Sequence, residues 1–274
     1  MKVKHLIIVF NGIIIVIILI TLLMPLLLAG PEFSANMQPE ILPFLLLMVF
    51  LLIFMNIFFY VNYRLLSLLE REDWPALAFY LEHIIYKKGR YSSRKVRLLA
   101  SSYLVVSDYP SVLKLESNVL HIKPSIIDKN VLTFGIARLL GGSHEEAAAF
   151  FKAYMVKVKV KDRQWVCWFY GFSQLLCGAF DLAEQEFSSL AISSDNVMVT
   201  GLSAYFLQSS VAKKSLKPEE CRTIAENGRK RVLKAIGNIV KWQKEADDMQ
   251  TEVFISIIIK YINEAGKWLY NSQG

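Results

Sequence analysis

Reactive chemistry is what this sequence has least of. Its 274 residues include 3 cysteines and 4 histidines, and neither set has ligand spacing. His5, His83, His121 and His144 are scattered, and none stands in an H-E-x-x-H arrangement. No Lys-Ser or Lys-Thr follows Gly141-Gly142, so a phosphate-cradling loop is missing. No serine occupies a G-x-S-x-G elbow. Glu145-Glu146 and Asp247-Asp248 read as first-turn or solvated charges, and His144 as a packing residue. These gaps predict a chain that is not an enzyme, with no catalytic residue, metal site or cofactor. Cys167, Cys177 and Cys221 are an odd number, which suits a reducing compartment. If Cys167 and Cys177 share a helix they stand about 15 Å apart, too far for a disulfide or a common metal.

Charge is missing from two long stretches, residues 6–29 and 41–61. Each exceeds the ~20 residues that cross a ~30 Å hydrocarbon layer. Asn11, Asn56, Pro25 and Pro43 are tolerable there, because a neighbouring helix can satisfy the freed polar groups. A cleavable signal peptide is the rival reading of the first run, since Lys2 and Lys4 precede it and Ala29-Gly30 are small. The run is longer than the about 7–15 apolar residues such peptides use. Basic residues set orientation. Residues 30–40 hold none, whereas Lys2, Lys4, Arg64, Arg71, Lys87, Lys88 and Arg90 flank the spans. Residues 1–61 are therefore expected to form a transmembrane hairpin in a bacterial-type inner membrane, with both termini cytoplasmic. Asn62 to Glu72 follows with no Gly or Pro, which predicts one helix running out of the bilayer.

Strand-like alternation is also missing beyond residue 61. The run VKVKVK at 156–161 is short and equally suits a basic helix end or a linker. The expected class is all-α. What is present is an internal repeat. Aligning Trp74, Tyr109, His144 and Phe180 gives intervals of 35, 35 and 36 residues. Asp73, Asp108 and Ser143 sit where an N-cap belongs, and Pro75 and Pro110 fall in a first helical turn.

On these residues the chain resembles the tetratricopeptide repeat family, whose units are helix–turn–helix pairs of about 34 residues. The small position in the middle of the first helix is Leu65, Ala100, Gly135 and Gly171. The turn position is Glu72, Ser107, Gly142 and Gly178. The alanine position is Leu77, Val112, Ala147 and Ala183, and the later large apolar position is Leu81, Glu116, Phe151 and Phe187. The closing proline occurs once, as Pro124. The third and fourth units fit best. The resemblance implies an α-solenoid over residues 62–195, with an atypical helical cap over 196–274. The cap would hold a helix over 196–210, a long basic helix from Lys217 to about Asp247, and an amphipathic helix over 249–270. That last helix is either a cap or a docking surface. The resemblance also implies a partner groove lined by Arg94, Arg97, Ser101, Lys129, Leu132, Ile136, Trp165, Trp168 and Phe172. The Asn partners of the family's carboxylate clamp are missing.

The part after residue 61 keeps the whole positive excess, 29 Lys and Arg (31 less Lys2 and Lys4) against 22 acids (24 less Glu32 and Glu40). Its basic clusters are 87–97, 157–163 and 213–244. Near the bilayer, anionic lipids would favour each cation by ~1 kcal/mol, and retention on the positive side explains Arg64, Arg71, Lys87, Lys88 and Arg90 equally well. No nucleic-acid motif accompanies the charge. The expected function is a membrane-anchored, non-enzymatic scaffold for protein partners, a subunit of a larger envelope or motor-like assembly. The alternative is a membrane subunit acting through its hairpin, by oligomerisation or contact with another membrane protein.

Overall fold

The computed structural model describes residues 3–157, 159–249 and 253–271, and among them every regular element is helical. The chain divides into two compact units, Met1–Tyr80 and Leu81–Gly274.

The first unit is built on helix α1 (Val3–Glu70). A straight helix would hold residues 11 and 56 about 67 Å apart, yet these two side chains are bonded, so the element folds back and its limbs lie side by side. Asn11 Nδ2 donates to Asn56 Oδ1 at 3.1 Å, and Asn56 Nδ2 donates to Asn11 Oδ1 at 2.7 Å and to the Leu52 carbonyl at 2.8 Å. Phe10 and Phe59 meet edge to face at 6.2 Å. The limbs contain two helical stretches, Ile7–Met24 and Ile41–Glu70, long and apolar enough to cross a membrane. The second continues past Val61 without a break, as the lack of Gly and Pro predicts. Most large apolar side chains on both limbs are exposed, Phe50 and Ile8 at 66% among them. Lys2 and the side chains of Glu32 and Glu40, part of the charge pattern, lie outside the described residues. After α1 comes Glu72 in the left-handed region (φ 52°), then Asp73, whose Oδ1 accepts from Ala76 N at the start of α2 (Trp74–Glu82).

The second unit carries α3 (Ser93–Val105), α4 (Tyr109–Ile122), the short α5 (Ser125–Asp128), α6 (Val131–Leu140), α7 (His144–Met155), α8 (Arg163–Leu176), α9 (Phe180–Ser193), α10 (Val197–Phe206), α11 (Pro218–Ala235), α12 (Ile239–Asp248) and α13 (Val253–Asn271). π-Helical turns extend α2 over His83–Lys87 and α10 over Leu207–Val211. Consecutive helices pair as α3 with α4, α6 with α7, α8 with α9 and α10 with α11. The joints of the first three pairs repeat one device. Ser107, Gly142 and Gly178 all have positive φ (58°, 86° and 76°), the same conformation as Glu72. A left-handed residue stops one helix and aims the chain into the next; glycine adopts it freely, and the serine and glutamate carry a small strain. Asp108 caps α4 through Ser111 N, whereas the Ser143 side chain makes no cap bond.

Small residues bring the pairs close. A Cβ at Gly135 would stand 2.2 Å from the Phe151 ring, and one at Gly171 would stand 3.1 Å from Phe187. In the α3–α4 pair the large apolar position is Glu116 instead. Arg138 of α6 binds it through both oxygens at 2.7 and 3.2 Å, and the guanidinium lies 4.2 Å from the Phe150 ring centre. One of the expected helices is two. The chain turns extended at Ile236, passes Gly237, and restarts where Asn238 Oδ1 accepts from Lys241 N at 2.9 Å. Gly-Asn is a C-terminal stop followed by a good N-cap, which the run of basic residues obscures. The VKVKVK segment is part of the loop between α7 and α8 at its described residues; Val158 lies outside them, as do residues 250–252 at the expected start of the last helix.

Two outcomes test this packing. Gly135→Ala lowers the unfolding free energy by ~1–3 kcal/mol, because the interior has no room for the added methyl; Phe151→Leu in the same chain recovers part of the loss in detergent thermal melts. Asn56→Leu weakens the contact between the limbs by ~1 kcal/mol, read as faster exchange of a cysteine crosslink between them.

Candidate functional site

The first helices of successive pairs, α3, α6, α8 and α10, contact one another in series. Their exposed faces would form the groove that the repeat pattern implies. In the structure α13 lies along it, packing on α10, α12, α11 and α6. Phe254 meets Trp165 at 5.1 Å and Phe169 at 5.9 Å, and Tyr261 meets Phe172 at 5.6 Å and Phe206 at 5.2 Å. Trp168 is fully buried between Phe172, stacked at 5.2 Å, and Phe187. Leu132, Ile136 and Trp165 are buried as well, and Phe172 is 8% exposed. Five of the nine groove residues are thus core, and the apolar face of α13 points inward.

Polar bonds fasten that helix along its length. Trp242 of α12 sits where a Cβ on Gly201 or Gly266 would be, within 2.6 and 2.9 Å, and its Nε1 donates to the Ile262 carbonyl at 3.0 Å. Arg229 Nε donates to the Leu269 carbonyl at 3.0 Å, Tyr270 Oη to the Ile236 carbonyl at 2.6 Å, and Tyr205 Oη to Glu264 Oε2 at 3.0 Å. Phe254, Ile255, Ile258, Ile262 and Leu269 are 0–5% exposed. At ~1.5–3 kcal/mol for each such side chain, an upper estimate, they contribute roughly 8–15 kcal/mol. A ligand would have to match that to displace α13, so the aromatic half of the groove is a structural seam.

The basic half is open. Arg94, Arg97 and Lys129 come together with Ser93, Lys159 and Lys161 around a cleft of about 320 Å³. Ser101, further along α3, is half-buried and does not line it. Lys159 and Lys161 belong to the α7–α8 loop, pinned by a bond from Lys161 N to the Asp128 carbonyl at 3.1 Å. In sequence the clusters at 94–97 and 159–161 are separate; no spacing signal joins them, since only the stacking of one pair on the next does. Of the other basic residues, Arg64 holds its guanidinium 5.0 Å from the Tyr80 ring centre. Arg71, Lys87, Lys88 and Arg90 are exposed.

Among the described residues no three His, Cys, Asp or Glu side chains gather as a metal site. His144 opens α7 with Nδ1 buried and without a partner. The Cys167 thiol is pushed up to about 11, first by burial and then by the neighbouring Glu186 carboxylate; burial raises Glu186 too. Burial also raises the Cys177 and Cys221 thiols. Tyr103, buried and bonded to Glu82 at 2.5 Å, is raised for the same reason. A thiol near 11 is about one part in a thousand thiolate at pH 8, and the thiolate is the nucleophile. Iodoacetamide at pH 8 should therefore leave Cys167 unmodified in the folded chain, with mass-spectrometric labelling appearing only as pH approaches 11 or on denaturation.

A protein of Treponema pallidum (strain Nichols), described as an uncharacterised protein, is 26% identical over 216 residues, which make up 76% of this chain and 69% of that protein. No solved structure matches. A family model described as "Uncharacterised Treponema protein" matches residues 111–271, from within α4 to the end of α13 and more than half of the chain. The chain belongs to that Treponema family.

Proposed function

We propose that this chain is a membrane-anchored, non-enzymatic scaffold that holds protein partners on a cytoplasmic array of tetratricopeptide-like hairpins. The observation that carries the reading is the recurring joint. Glu72, Ser107, Gly142 and Gly178 share one rare backbone conformation at near-equal spacing, which is how a repeated supersecondary unit is built. The exposed apolar limbs of α1 support the anchor, because hydrocarbon removes the cost of leaving that surface in water. The basic flanks support cytoplasmic termini in a bacterial-type inner membrane. Membership of a larger envelope or motor-like assembly rests on architecture alone.

Because α13 covers the aromatic seam, partners meet the second helices of the pairs. There Leu120 and Ile122 of α4, and Leu182 and Ile192 of α9, remain 43–59% exposed. The competing reading, action through the hairpin, loses its main motive. Asn11 and Asn56 satisfy each other, so no further membrane subunit is needed to explain them.

The test replaces residues 1–61 with an unrelated two-span hairpin and, separately, introduces Leu120→Glu with Ile192→Glu. Proteins co-purifying after mild detergent extraction are quantified against the unaltered chain. Scaffolding by the array predicts that the swap keeps the same partners and the double variant loses them. Partners lost on the swap and kept by the double variant would overturn the reading in favour of the hairpin.

A further inference from the structure

The basic cleft has the composition of a ligand site. Ser93, Arg94 and Arg97 come from the start of α3, Lys129 from the end of α5, and Lys159 and Lys161 from the α7–α8 loop. Three elements thus converge cations on one concavity. Asp128 and Asp162 are engaged nearby: Asp128 faces Lys157 at 3.8 Å, and Asp162 faces Lys161 at 3.2 Å. Among the described residues Arg94, Lys129 and Lys159 have no carboxylate partner. Local structure works against the cluster as well. Arg94 lies in the first turn of α3, where the aligned peptide dipoles disfavour a cation. Like charges gathered in a recess, with a positive helix end beside them, raise the energy of the empty cleft and lower that of an anion-filled one.

One neutral group is set as a donor. Asn130, 3% exposed, donates from Nδ2 to Ser93 Oγ at 3.1 Å and to the Ile126 carbonyl at 2.8 Å. Ser93 Oγ accepts that bond, which leaves its own proton to give to a ligand. The cleft therefore offers guanidinium, ammonium and hydroxyl donors and no carboxylate among its lining residues.

We infer that this cleft binds a small, multiply charged phosphate-bearing anion. A single carboxylate would neutralise one of the converging charges, whereas a phosphate monoester or diphosphate carries about two or more. Its tetrahedral oxygens suit a bidentate guanidinium with ammonium groups around it. The volume of about 320 Å³ accommodates one such group. A soluble phosphate compound and an anionic phospholipid headgroup present the same chemistry.

The test uses the full chain in uncharged detergent, with pyrophosphate titrated by calorimetry at about 0.1 M salt. Saturable 1:1 binding is expected. Arg94→Gln/Lys129→Gln/Lys159→Gln should weaken it at least tenfold, and Ser93→Ala several-fold, both with unchanged far-UV circular dichroism. Lys87→Gln/Lys88→Gln/Arg90→Gln should leave it unchanged. Phosphatidic acid added to the micelles identifies the source. Competition with pyrophosphate, absent with phosphatidylcholine, assigns a lipid headgroup, and lack of competition assigns a soluble phosphate compound. No saturable binding, equal binding by the triple cleft variant, or a stronger preference for an acidic peptide than for pyrophosphate would each overturn the inference.

Discussion

The second unit depends on the insertion of α13 along the first helices of the pairs. Stacked hairpins bury one face of each helix against a neighbour and leave a continuous apolar trough along the other. In this chain the trough is lined by Trp165, Phe169, Phe172 and Phe206, far too much apolar surface to leave wet. Phe254, Tyr261 and Ile262 close it, and Trp242 fixes the depth of closure. That indole occupies the space two glycines leave, one on α10 and one on α13, and donates its N–H to the helix it clamps. A side chain on either glycine would push α12 or α13 outward. The seam thus couples the end of the chain to its middle, and the match of the Treponema family model ends where α13 ends.

Closure by the chain's own helix fills the apolar trough between the helix pairs. An empty trough of this kind is a natural peptide site; a filled one leaves only the outer faces and whatever part the plug does not reach open to a ligand. Here α13 does not line the mouth beside α3, and that mouth is basic. The aromatic and basic halves of the groove are adjacent in register yet opposite in fate, because one is filled by α13 and the other keeps Arg94, Lys129 and Lys159 without a carboxylate partner among the described residues.

Much of this was readable from residue order, for identifiable reasons. The joint at Glu72, Ser107, Gly142 and Gly178 could be placed because left-handed turns, N-caps and first-turn prolines leave marks at fixed offsets. Gly135 and Gly171 could be placed at the small position and Phe151 and Phe187 at the large apolar one, but only the structure sets each glycine against its phenylalanine. The location of α13 could not be read. An amphipathic stripe says that a face is buried, not against what, and Phe254 is about 90 residues from Trp165. The break at Gly237-Asn238 was masked by flanking lysines that suit a helix on both sides. Register alone put Arg94, Arg97 and Lys129 on one groove; that Lys159 and Lys161 join them could not be read, because the α7–α8 loop must first fold back to Asp128.

Glu116 shows how a departure from pattern can be informative without being functional. At a position that elsewhere holds Phe151 or Phe187, a carboxylate invites an active-site reading. Its partner, Arg138, accounts for both oxygens, and Phe150 covers the guanidinium. A buried ion pair of this kind contributes little net stability compared with an apolar pair, but removing either member costs about 3–5 kcal/mol. The pair joins α4 to α6, and a slip of one helix past the other would separate Glu116 from Arg138. The basic cleft differs in that respect, because Arg94, Lys129 and Lys159 are exposed and have no carboxylate partner among the described residues. Charges that serve the fold are paired within it; a concave, convergent cluster in which Arg94, Lys129 and Lys159 have no carboxylate partner among the described residues is the one to examine for a ligand.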